Sequence, residues 1–92
     1  MTNAQFEGRI NLFPNPAVDL VEIQAKTEQP IQLELVLYDL QGSIVRSFGK
    51  YDFTKKSMRE TLSIADILPG VYMFLATDYA GIRFIQKRLI IR

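Results

Sequence analysis

Proline and glycine punctuate this chain at short intervals, and that spacing limits what it folds into more than any other feature. They stand at Pro14, Pro16, Pro30, Gly42, Gly49, Pro69, Gly70 and Gly81. Proline fixes φ and withholds an N–H, and glycine weakens a helix interior. The segments between them are therefore too short for a set of long helices. They alternate instead with period two, which is the strand signature. In residues 31–38, Ile31, Leu33, Leu35 and Leu37 share one face, while Gln32, Glu34, Val36 and Tyr38 share the other. A helix would scatter these side chains around its axis.

The same reading predicts strands over residues 20–25, 43–48, 59–64, 71–77 and 82–91. Residues 51–56 read either as a short strand or as a loop with aromatic anchors. Residues 71–77 are apolar on both faces, which places them in the middle of a sheet. Leu62 and Ile64 are expected inward, and residues 65–68 read as one helical turn stopped by Pro69 and Gly70. Asp39 and Gly42 bracket a tight turn, because Asp bonds its own backbone two residues on and Gly takes positive φ. Residues 31–38 and 43–48 then form a hairpin. The expected fold is all-β, an immunoglobulin-like antiparallel β-sandwich of about seven strands. Neither Cys nor Trp is present, so the Cys–Trp–Cys signature of a true immunoglobulin domain is missing.

Ninety-two residues, 48% of them apolar, suit one globular domain. Residues 1–9 read as a linker or pre-domain segment, and 10–92 as the domain. Residues 1–8 are polar and lack the basic start, apolar run and small-residue cleavage site of a secretory signal. No run approaches the ~20 apolar residues of a spanning helix, so direct membrane insertion is not expected. An exported protein of this kind would carry its address elsewhere, which fits a portion of a longer protein. Eleven basic against ten acidic residues leave a net charge of +1. That balance gives no reason to expect a nucleic-acid partner. Basic residues gather at Lys55, Lys56 and Arg59, and at Lys87, Arg88 and Arg92; a solvated face accounts for them.

Catalytic constellations are hard to assemble. The chain has no His and no Cys, which removes the usual base, thiol nucleophile and transition-metal ligands. Ser43, Ser47, Ser57 and Ser63 lie outside any Gly-x-Ser-x-Gly elbow. Asp39, Asp52, Asp66 and Asp78 fall in or beside expected turns, where Asp serves the backbone. Calcium in such a loop stays open, although no EF-hand spacing is present. No Gly-rich phosphate loop is present. The expectation is a non-enzyme without a cofactor. Tyr38, Phe48, Tyr72, Phe74 and Phe84 are expected in the core. Tyr51, Phe53 and Tyr79 are expected to be exposed, and they carry an alternative reading as a carbohydrate- or protein-binding module of a secreted enzyme or adhesin.

Three local patterns occur in order. The first is Phe13-Pro14-Asn15-Pro16-Ala17 with Asp19 and the alternating Val21 and Ile23. The second is Leu37-Tyr38-Asp39-Leu40-Gln41-Gly42. The third is Ile67-Leu68-Pro69-Gly70-Val71-Tyr72, leading through Asp78 and Gly81 to Lys87-Arg88-Leu89-Ile90-Ile91-Arg92. In this order and spacing they resemble the type A C-terminal sorting domain of the type IX secretion system of Bacteroidetes, over residues of about 10 to 92. Ile67 stands where that family usually shows Leu, and Arg92 where Lys is common.

The resemblance implies a C-terminal secretion signal. It directs a cargo, joined N-terminally in the full-length protein, across the outer membrane. Expected partners are the translocon and a surface sortase that removes the domain and anchors the cargo at the cell surface. Cleavage is expected in or upstream of residues 1–9. Lys87, Arg88, Leu89, Ile90, Ile91 and Arg92 are the candidate translocon contacts, as an accessible strand end open to strand addition. Pro14, Asn15, Pro16, Asp39, Gly42, Gly70, Val71, Tyr72 and Gly81 are read as scaffold. Asn15 is expected to bond locally, and Gly70 to permit a chain reversal. Edges near Pro14 and at the last strand are candidate contacts for an edge-strand dimer.

Overall fold

The computed structural model describes residues 8–27, 30–53, 57–78 and 84–92. Among them run seven strands: β1 (Gly8–Phe13), β2 (Leu20–Thr27), β3 (Ile31–Asp39), β4 (Ile44–Phe53), β5 (Ser57–Ser63), β6 (Gly70–Asp78) and β7 (Phe84–Ile91). Two antiparallel sheets form, one in the order β1-β2-β5 and one in the order β4-β3-β6-β7. This is the expected all-β sandwich, with β6 inside its sheet as its apolar faces predict. β4 pairs with β3 rather than joining the smaller sheet.

The number of strands agrees with the reading of the sequence, but their membership differs. β1 begins at Gly8, inside the segment set aside as pre-domain, and pairs with β2 from Gly8↔Thr27 to Phe13↔Glu22. Residues 51–53 are the end of β4 rather than a separate strand. Residues 65–68 form a turn closed by the Ile67 N–H on the Ile64 carbonyl at 3.0 Å, without a helix. Pro69 leaves too little room for a second turn.

The core lies between the sheets and follows the period-two pattern. Val21, Ile23 and Ala25 of β2 face Leu33, Leu35 and Leu37 of β3 and Tyr72, Phe74 and Ala76 of β6, all buried. Leu62 and Ile64 also point inward, as expected. Burying a side chain of this size contributes about 1.5–3 kcal/mol relative to leaving it in water. β4 departs from strict alternation. Its register against β3 shifts between Leu35 and Val36 and again between Leu37 and Tyr38. These two bulges turn Val45 and Phe48 toward the core at irregular spacing, ahead of Tyr51 and the buried Phe53, which stand opposite Leu33 and Ile31. Gly49, at φ 93°, supplies the left-handed backbone that the first bulge requires. Phe48 packs on Phe74 with ring centroids 6.3 Å apart.

Candidate functional site

The strand directions bring the three sequence patterns to one pole of the sandwich. β1 and β5 end there and β2 begins there. In the other sheet β3 and β7 end there and β4 and β6 begin there. Residues 14–19, the turn at Asp39 and residues 64–69 are the links at this pole, and Arg92 lies among them.

Asn15 does not bond locally. Its side-chain amide donates to the Arg88 carbonyl at 2.8 Å, and its Oδ1 accepts from the Ile90 N–H at 3.0 Å. Ala17 continues the same ladder: its N–H donates to the Ile90 carbonyl at 2.8 Å, and its carbonyl accepts from the Arg92 N–H at 2.8 Å. Ala17 and Ile91 make a parallel bridge, and the Ala17 side chain is fully buried. The link that leaves the smaller sheet thus closes the outer edge of β7 in the larger one. The two edges expected to pair between copies pair with each other at this place. Residues 88–92 are therefore not the free strand end that the sequence suggested.

The candidate translocon contacts divide accordingly. Leu89 and Ile91 are buried core residues, Ile90 is half-buried, and Lys87, Arg88 and Arg92 are exposed. Of this group only the three basic residues are exposed.

At the second motif, Asp39 Oδ1 accepts from the N–H of Gln41 and of Ser43, both at 2.9 Å. The Gly42 N–H bonds the Asp39 carbonyl at 3.1 Å, and Gly42 has φ 89°. The predicted turn chemistry is present in full. At the third motif, Tyr72 is buried and its hydroxyl donates to the Leu68 carbonyl. Val71 is exposed and pairs across the sheet with Ile90. Gly70 does not adopt positive φ, so the chain reversal does not depend on it for backbone freedom; the Tyr72 ring lies over it, 3.5 Å from where a Cβ would stand. Gly81 lies outside the described residues, as do Tyr79, Lys55 and Lys56.

Arg46 of β4 bonds Asp66 of the β5–β6 link at 2.7 Å. That hydrogen bond holds the Asp66 carboxyl below its usual value, and a backbone N–H adds to the effect. An open groove of ≈ 340 Å³ runs beside the pair, lined by Asp39, Val45, Arg46, Ile67, Leu68 and Tyr72. Around it the pole is apolar as well as charged: Phe13, Val18, Leu20, Leu40, Ile44, Leu68 and Val71 are all exposed.

Two sequence expectations fail at the aromatic positions. Phe53, expected at the surface, is completely buried, and Tyr51 is half-buried against the core. Both stand opposite inward positions of β3, Tyr51 across from Leu33 and Phe53 across from Ile31, so they do not form an exposed sugar-binding platform. Arg59 is exposed and lies 3.8 Å from Glu22 on the outer face of the smaller sheet. Among the described residues, no three acidic groups gather to hold a metal ion.

The chain matches the family of secretion system C-terminal sorting domains over residues 11–92. It belongs to that family. No curated protein matches it. As a type IX sorting domain it is a C-terminal signal for export across the outer membrane, working for a protein part that precedes it. The matched residues run from the middle of β1 to the C-terminal Arg92 and include every motif at the pole. Sequence reasoning found the motifs but missed the long-range role of Asn15. No local signal reveals a partner more than seventy residues away.

Proposed function

We propose that the export machinery reads this sorting domain at the pole that carries Arg88 and Arg92, and that the domain is a substrate of the machinery rather than a catalyst. The observation that carries this reading is the convergence of all three motifs and the C-terminal strand on one end of the sandwich. β1 begins at the opposite end, so a cargo joined before Gly8 leaves the motif pole uncovered. After passage, a surface sortase cuts the domain from its cargo and joins the cargo to an anionic lipopolysaccharide. A cut before Gly8 keeps every described pair of β1 with β2, from Gly8↔Thr27 to Phe13↔Glu22.

The test is a fusion of residues 1–92 to a periplasmic reporter in a host that has the system. Export of the reporter is expected. Deleting residues 89–92 removes Leu89 and Ile91 from the core, so its effect mixes folding with recognition. The double variant Arg88→Glu/Arg92→Glu touches only exposed side chains. It is expected to stay folded and leave the reporter in the periplasm. Normal export of that folded variant would sink the reading.

A further inference from the structure

The placement of Asn15 changes how the terminal strand can be read. A primary amide carries one acceptor and a donor group, as a peptide unit does. Asn15 uses both toward β7, on the Arg88 carbonyl and the Ile90 N–H, and Ala17 supplies the next two bonds with its own backbone. The flanking Pro14 and Pro16 have no N–H to offer elsewhere and cannot extend a ladder of their own. Four hydrogen bonds thus saturate the outward-facing backbone of Arg88, Ile90 and Arg92 that they engage, leaving no room for an added strand there.

We infer that residues 14–17 are a clasp, with Asn15 as a positioning residue, and that the clasped end of β7 is recognised through its basic side chains and not by strand addition. The clasp fixes the backbone from which Arg88 and Arg92 project, so a receptor with acidic groups meets two cations at a set spacing. An unclasped end would have to be ordered at the moment of binding, at an entropic cost. This inference rests on the reading that the end of β7 is what the machinery recognises.

Hydrogen exchange in the chain of residues 1–92 and export of the reporter fusion test it together. In Asn15→Ala, protection of the Ile90 amide is expected to fall about ten-fold or more, with amides of Val21 and Leu35 unchanged. Export is expected to fall with it. Asn15→Asp provides a second, reversible variant. Its protonated acid can donate to the Arg88 carbonyl, whereas its carboxylate is repelled by that oxygen. The carboxylate still accepts from the Ile90 N–H, so protection at Ile90 is expected to be highest in acid, where both side-chain bonds of the clasp form, and lower at neutral pH, where only one does, in one folded protein. Unchanged Ile90 protection in Asn15→Ala would overturn the clasp. Lost protection with full export would show that the clasp does not serve recognition. Lost export with intact protection would make Asn15 a direct contact, which also overturns the inference. Normal export of the folded double arginine variant would instead refute the reading of β7 beneath it.

Discussion

Single residues at the pole carry distinct tasks. Asp39 bonds two backbone N–H groups and Gly42 supplies the left-handed turn, so each acts on the hairpin in its own way. Asp39→Ala is expected to lower stability by about 1–2 kcal/mol through the two lost bonds. Gly42→Ala is expected to cost about 1–2 kcal/mol because a Cβ strains positive φ, although space around it is open. Urea unfolding with both variants checks the pair; neither should alter Ile90 protection. Asp66 adds a pH dependence. Its pKa is lowered in the folded state from 3.8, so its contribution is present above that value and lost as pH falls through the folded value. The effect is small, because the pair is at the surface. Melting temperature followed through the acid range should show an acid-side decline that is weaker in Asp66→Asn.

At the scale of elements, β7 serves core and surface at once. Leu89 and Ile91 fill the space between the sheets, while Arg88 and Arg92 face water. Leu89→Ala is expected to destabilise by about 2–5 kcal/mol, and Arg88→Glu by less than about 0.5 kcal/mol. Denaturant melts of the two variants separate folding from recognition in a strand where truncation confuses them. β1 shows why element boundaries were harder to read than element types. In its residues Gly8, Arg9, Ile10, Asn11, Leu12 and Phe13 only two apolar positions, Ile10 and Leu12, alternate, beside polar residues that resemble a tail. Pairing with β2, and burial of Ile10, make it a strand. β4 is the reverse case: residues 51–53, readable as a separate strand or a loop, continue β4 opposite β3, and Phe53, across from Ile31, is buried.

For the whole molecule, the two poles divide the work. Chain entering at Gly8 belongs to one pole; Asn15, Asp39, Tyr72 and Arg92 gather at the other. A short polar extension after Arg92 is expected to leave the melting temperature nearly unchanged and to lower export of the reporter by crowding the motif pole. The same extension placed before Met1 is expected to leave export intact. Cell fractionation of the two fusions compares them directly.

The sequence by itself determined the all-β class, the hairpin at Asp39 and Gly42, the inward faces of β2, β3 and β6, and the family. These rest on local chemistry: a two-residue period, turn residues that bond their own backbone, and short motifs in fixed order. Tertiary structure alone decided that Asn15 reaches Arg88 and Ile90, that Ala17 closes the edge of β7, and that Phe53 turns inward. Each of those depends on which distant segments the two sheets bring together, and on the register in which they meet. A period read along one strand contains neither.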